Sequence, residues 1–266
     1  MAQELTKARK LLGGVGTSLK QGKYVPAAQS IHDSIVLMFK TGVMKSEREE
    51  FGQLFEKAVY ALNNSPEFRQ IYPLIINYSP GEEKALLATM NDVLATLQDH
   101  INEGAQKDMA KMAAEKAEET SRGQALLDAE NYDEARAVFH ALLKRYSNDT
   151  DLKADIADRF LRAELYEDAF NLLEEALKDD PEAIALYNRI GIVLRRMGEF
   201  ETAERYYKKA LEISRTDEYL YFNLGRLYYD WHKWDKMLEA ASHALAINAG
   251  FAEAKKMAQF ARKKLA

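Results

Sequence analysis

Residues 184–217 read IALYNRIGIVLRRMGEFETAERYYKKALEISRTD, and residues 218–251 read EYLYFNLGRLYYDWHKWDKMLEAASHALAINAGF. Laid one over the other, Gly191 meets Gly225, Phe200 meets Trp234 and Ala210 meets Ala244. The frame extends backwards. Tyr132, Tyr166, Phe200 and Trp234 are spaced by 34 residues each, and three residues after them stand Ala135, Ala169, Ala203 and Met237. Nine residues before the aromatics come Gly123, Ala157, Gly191 and Gly225; seven after them come Phe139, Leu173, Tyr207 and Ala241. Leu142, Ala176, Ala210 and Ala244 keep the same phase, so residues 116–251 are an internal repeat without a gap.

Within each unit the apolar residues recur at i, i+3, i+4 and i+7 in two runs, the stripe of two amphipathic helices. Each unit therefore reads as a helical hairpin. Small residues such as Gly191 and Ala203 fall where two helices cross closely, and a larger side chain there would overpack. A single hairpin cannot bury its stripe, so neighbours stack and the last one needs a polar-faced cap. Residues 251–265 supply it: Met257, Ala258 and Ala261 fall on one face, with Lys255, Lys256, Gln259, Arg262 and Lys263 mostly on the other.

These units resemble the tetratricopeptide-repeat family, whose pattern has an aromatic, Leu-Gly and Tyr in a first helix and Ala, Phe and Ala in a second. The third and fourth units carry it best: YNRIG at 187–191 and GEFETAERYYKKAL at 198–211, then YFNLG at 221–225 followed by Tyr228. The unit at 150–183 adds the closing Pro181, whereas the unit at 116–149 has Glu119 and Arg122 where apolar residues are expected. The resemblance implies an all-α, tetratricopeptide-type α-solenoid of helical hairpins. To it is added an N-terminal helical domain.

The composition agrees with an ordered helical protein: 47% hydrophobic, 30% charged and five prolines in 266 residues. A formal charge of -5 supplies no global positive field for a nucleic-acid backbone. With no cysteine, thiolate catalysis and Cys-bearing metal sites are excluded. The first residues, MAQELTKARKLLGGVG, lack the continuous apolar core of a secretion signal, and no stretch reaches a membrane span's length of apolar residues. The expected location is cytoplasmic.

Residues 1–104 read as helices without a regular long period. KQGKYVPAA at 20–28 looks like RMGEFETAE at 196–204, so one degenerate repeat-like hairpin is expected at about 4–40. Further helices are expected at about 45–63, 66–78 and 82–101, with Gly104 separating this domain from a helical connector at 105–115. The four repeats and the capping helix fill 116–266.

Signals of chemistry are weak. GGVGTSLKQGK at 13–23 fails the phosphate-loop spacing, because Thr17 stands where glycine is required and Tyr24 where Ser or Thr is required. A helix interior or hairpin crossing accounts for it better. His32, His100, His140, His232 and His243 form no ligand pair at metal-binding spacing. Asp149, Asp151, Asp155 and Asp158 lack the glycine and terminal glutamate of a calcium loop and read as a solvated acidic face that favours a helix start. The expectation is a non-enzyme without catalytic residues, metal or cofactor.

In the family the first helices line a concave groove, and positions two, five, six, nine, twelve and thirteen face a bound peptide. The resemblance therefore implies Ala185, Asn188, Arg189, Ile192, Arg195 and Arg196 in the third repeat. The fourth offers Tyr219, Phe222, Asn223, Arg226, Tyr229 and Asp230, and the second Asp151, Ala154, Asp155, Asp158, Leu161 and Arg162. From these, Asn188, Arg189, Ile192, Arg195, Arg196, Tyr219, Phe222, Asn223, Arg226 and Tyr229 are the candidate partner-binding residues. The groove is expected to be acidic at one end and basic with aromatics at the other, suited to a protein or peptide with acidic and apolar side chains. The family's two-carboxylate clamp for chaperone tails is not matched, because Ala154, Asp158, Arg189, Tyr219 and Asn223 occupy its positions. The implied function is a protein-interaction scaffold or adaptor. The alternative is a regulatory subunit or specialised chaperone that masks an apolar segment of a client.

Overall fold

The computed structural model describes residues 2–266, which form helices and connecting turns with no strand among the described residues. It divides into two compact units, Met1–Met112 and Ala113–Ala266.

In the first unit α1 (Ala2–Lys20) and α2 (Tyr24–Thr41) form a hairpin, followed by α3 (Lys45–Asn63), α4 (Pro66–Ile71) and the start of α5 (Glu83–Asp128). Leu5, Ala8, Leu12 and Val15 of α1 close on Ala27, Ala28, Ile31 and Ile35 of α2 and on Phe51, Phe55 and Leu62 of α3. Leu86, Met90, Val93 and Leu97 of α5 complete this core at helical spacing. Asn63 fastens the chain after α4 by exchanging hydrogen bonds with the Ile76 backbone, at 2.9 and 3.0 Å.

Two readings of this unit are corrected. The helix expected at 66–78 stops at Ile71, because Pro73 disfavours the helical conformation at Tyr72, whose backbone is extended at φ -118 and ψ 90. Gly104 is no boundary either. Helix α5 runs through it, since a glycine in a long helix rich in Ala, Lys and Glu costs only about 1 kcal/mol. The connector expected at 105–115 is thus an internal stretch of α5, exposed on every side from 101 to 114.

In the second unit residues 113–128 of α5 pair with α6 (Tyr132–Arg145). Then follow the hairpins α7 (Thr150–Arg162) with α8 (Tyr166–Asp179), α9 (Ile184–Met197) with α10 (Phe200–Ile213), and α11 (Glu218–Asp230) with α12 (Trp234–Ile247). Helix α13 (Ala252–Leu265) ends the unit, burying Ala254, Met257, Ala258 and Ala261 while Lys255, Lys256, Gln259, Arg262 and Lys263 stay exposed. The aromatics that set the period, Tyr132, Tyr166, Phe200 and Trp234, each open a second helix.

A second 34-residue period lies in the backbone. Glu130, Glu164, Gly198 and His232 all adopt the left-handed conformation, at φ 59, 61, 82 and 56. Behind each, the amide of the next residue reaches back five positions to a first-helix carbonyl: Asn131 to Leu126, Leu165 to Phe160, Glu199 to Leu194 and Lys233 to Tyr228, all at 2.9 Å. This double-bonded helix ending satisfies carbonyls that α-helices leave free. The α1–α2 turn repeats it, with Gly22 at φ 68 and the Lys23 amide on the Ser18 carbonyl at 2.9 Å. The local likeness of 20–28 to 196–204 thus extends to the backbone.

Glycines of the two kinds are expected to respond oppositely to alanine. Gly198→Ala should cost about 1 kcal/mol, because a Cβ is strained in the left-handed region. Gly13→Ala should add about 0.5–1 kcal/mol, because Gly13 lies inside α1 with open space around it. Urea midpoints check both; equal shifts of one sign would contradict the assignment. Gly13, Gly14 and Gly16 are therefore helix-interior residues and not crossing points, since a Cβ on any of them would meet nothing within 4 Å.

Polar links also join neighbouring hairpins. Arg136 on α6 holds Asp168 on α8 at 2.8 Å, and the Tyr206 hydroxyl on α10 donates to Glu174 on α8 at 2.6 Å. Burial raises the pKa of the Glu204 carboxyl, but hydrogen bonds from Lys208, Tyr228 and Lys236 outweigh it and hold the carboxyl at about 2. Its Tyr228 and Lys236 bonds, 2.9 and 3.1 Å, tie α10 to α11 and α12.

Candidate functional site

Because i, i+4 and i+7 share one helix face, Ala154, Asp158 and Leu161 of α7 line up, as do Ala185, Arg189, Ile192 and Arg196 of α9. Two cavities open along these stripes. The larger, about 940 Å³, includes Asp149, Asp151, Asp155 and Asp158 with Ala185, Leu186 and Arg189. The smaller, about 360 Å³, lies at the other ends of the same helices. It is lined by Leu161, Arg162, Glu164, Tyr166, Ile192, Arg195, Arg196 and Arg226.

The acidic cavity is partly neutralised from within. Asp149 caps α7 by accepting from the Leu152 amide at 2.9 Å and is paired with Lys116. Burial raises the pKa of its carboxyl, but the Lys116 and Leu152 hydrogen bonds prevail and leave it below the usual range. Asp155 holds Arg159 at 2.9 Å, and Asp158 holds Arg189 at 3.1 Å. Among the described residues no group of three or more His, Asp or Glu is placed to hold a metal ion.

The ten candidate residues do not form one patch. Asn188 and Asn223 are hydrogen-bonded to each other across α9 and α11 at 2.9 Å. Arg189 sits in the acidic cavity, while Ile192, Arg195, Arg196 and Arg226 line the basic one. Arg195 is not a free surface cation: it is 8% exposed and paired with Asp230. Arg196 and Arg226 are exposed. The Arg226 guanidinium is held below its ordinary pKa, first by burial and next by the charge of Arg195.

The aromatics are largely engaged with α13 and its cap residue. Phe222 and Tyr219 pack on Phe251 with ring centres 5.1 and 5.3 Å apart, and Tyr229 lies against Phe260 at 5.3 Å and Trp234 at 6.0 Å. Tyr219 and Tyr229 keep 61% and 45% of their surface exposed, so each is both packing and surface. Charge varies along the helices: aspartates line the cavity at the start of α7, where α9 contributes Ala185, Leu186 and Arg189, and arginines line the one at the ends of α7 and α9. Glu164 and Tyr166 in the basic lining were not among the expected groove residues, because they belong to the turn between helices and the start of a second helix. Their signal was the turn's fixed distance from Arg162.

Family models described as tetratricopeptide repeat match residues 120–155, 162–216 and 182–249. No curated protein sequence matches the chain. Among solved structures, the crystal structure of MamA protein is 20% identical with a TM-score of 0.45, over 56% of this chain and 84% of that one. The first TPR of Spaghetti (RPAP3), bound to the HSP90 peptide SRMEEVD, is 16% identical with a TM-score of 0.41, over 44% and 92%. The Sgt2 TPR domain from Aspergillus fumigatus is 17% identical with a TM-score of 0.42, over 44% and 79%. Residues 120–155 and 162–249 of this chain are tetratricopeptide repeats.

Proposed function

We propose that the second unit is a scaffold or adaptor that holds a segment of a partner protein against the first-helix stripe of α7, α9 and α11. The tetratricopeptide repeats support a protein–protein interaction scaffold. The observation that carries the finer reading is the pair of cavities along that stripe, one rich in aspartate and one in arginine. A charged lining of this kind suits a segment with cationic residues at the aspartate end and anionic residues at the arginine end. It fits an adaptor better than a chaperone for apolar clients, whose site would be lined chiefly by aliphatic and aromatic side chains. No helix among the described residues is long and apolar enough to cross a membrane.

The test uses a partner identified by pull-down from the native organism with the full chain. Arg196→Glu with Arg226→Glu should weaken binding by about tenfold or more, chiefly through slower association, and the loss should shrink at high salt. Tyr219→Ala with Tyr229→Ala should mainly raise the dissociation rate and persist in salt. Arg195 is left intact, because removing it would strand Asp230 and confound binding with folding. Helical circular dichroism must match the parent in both cases. Two folded double variants that bind as tightly as the parent would overturn the groove assignment.

A further inference from the structure

The arginine-lined cavity at the ends of α7 and α9 carries more positive charge than the fold compensates. Arg195 is paired with Asp230, but Arg162, Arg196 and Arg226 have no ion-pair partner among the described residues. Glu164 is the one carboxylate in the lining, which leaves two positive charges uncompensated. Helix C-termini explain part of this, since Arg162 ends α7 and Arg195 and Arg196 fall in the last turn of α9, where cations are favoured. They do not explain Arg226. It lies inside α11 and, though exposed at the surface, loses part of its hydration and sits near Arg195 and Arg196, which together outweigh the opposing charge of Asp230. The buried Tyr207 hydroxyl lies near Arg195 and Arg226 and interacts with the Arg195 guanidinium, which adds no negative charge to the cavity.

Like-charged groups gathered around one space with too little counter-charge are at their most stable when an anion enters. Charge and size select the anion. A carboxylate would cancel only half of the excess, whereas a phosphoryl group carries about -1.5 to -2 at neutral pH. Guanidinium forks match tetrahedral oxyanions through paired N–H donors. A cavity of about 360 Å³ has room for such a group and the atoms that bear it. From this we infer that the Arg162–Arg196–Arg226 cavity is an oxyanion site that takes a phosphoryl group. When that group is a phosphorylated side chain of the bound segment, the inference rests on the groove reading. As a site for free phosphate it does not.

The test is a titration of the full chain with inorganic phosphate, and with a short phosphoserine peptide beside its unphosphorylated form, followed by phosphorus resonance and by calorimetry. The parent should bind phosphate, and the phosphopeptide should bind about tenfold or more tighter than its serine form. Arg226→Gln and Arg196→Gln should each weaken the phosphate complex by about tenfold, whereas Arg205→Gln, on the exposed side of α10, should leave it unchanged. Phosphate binding without a gain for the phosphopeptide keeps the site and assigns it to the free anion. Neither probe binding, or binding indifferent to Arg226→Gln, overturns the inference. Failure of the groove reading shows elsewhere, in the partner binding the charge-reversed double variant, and leaves the phosphate titration as it is.

Discussion

Deletion of residues 251–266 is expected to lower the unfolding temperature of the second unit by about 10 °C and to make the protein self-associate. Helix α13 covers the last hairpin with Phe251, Ala254, Met257, Ala258 and Ala261, all buried. Met257 fills the space above Gly225, and Phe251 is the floor under Phe222 and Tyr219. Each large side chain newly exposed should cost about 1.5–3 kcal/mol. Two such losses, at about 2–4 °C per kcal/mol for a unit of this size, give the stated shift. The uncovered strip joins Leu224, Ala240, Ala241 and Ala244, an apolar face that would stack on a second copy as the hairpins stack on each other. Calorimetry and light scattering on the truncated chain check this. An unchanged transition with no association would show that α13 is not a cap.

The second large effect concerns how the two helices of a hairpin meet. In the first repeat Gly123 lies directly under the Phe139 ring, and in the third a Cβ on Gly191 would come 2.6 Å from Tyr207. The second repeat fills the same place with Ala157 and Leu173, both fully buried. One position gains what the other gives up, as close packing demands. Gly123→Ala alone should therefore cost about 1–3 kcal/mol by overpacking, and Phe139→Leu alone about 1 kcal/mol or more by loss of buried contacts. Together they recreate the second repeat's pair, so the double variant should be more stable than the sum of the single losses by at least about 1 kcal/mol. Chemical denaturation of the four proteins measures this coupling. Additive losses would mean that glycine and ring do not share one space.

That complementarity explains how much of the fold was legible. Size at the crossing points and aromatics at the second-helix starts are side-chain properties, so their period of 34 shows directly in the letters. The equally regular left-handed turn does not, because Glu130, Glu164, Gly198 and His232 share a conformation and no chemistry. The early stop of α4 was written in Tyr72 and Pro73, two residues inside the span expected to be helical. Gly104 has the opposite lesson: one weak breaker does not end a helix with strong formers on both sides.

Groove residues were legible by position but not by state. Reading one repeat at a time hides contacts made between repeats, where a residue meets partners about one period away, shifted by a helical turn. Asp158 with Arg189, Asn188 with Asn223 and Arg195 with Asp230 are separated by 31, 35 and 35 residues. Those pairings remove Arg189 and Arg195 from the free charges and leave Arg196 and Arg226. The turn residues Glu164 and Tyr166 enter the basic cavity only because the hairpin folds back beside Arg162. Aromatics such as Phe222 were claimed by the cap, whose Phe251 lies at the very edge of the repeated segment.

Hydrogen exchange of the full chain with and without its captured partner locates the surface that the partner covers. Added protection is expected along α7, α9 and α11, centred on the Asp151–Asp158 and Arg189–Arg196 segments, with α8, α10 and α12 little changed. Protection confined to α8, α10 and α12, or to residues 2–112, would contradict a partner held against the first-helix stripe.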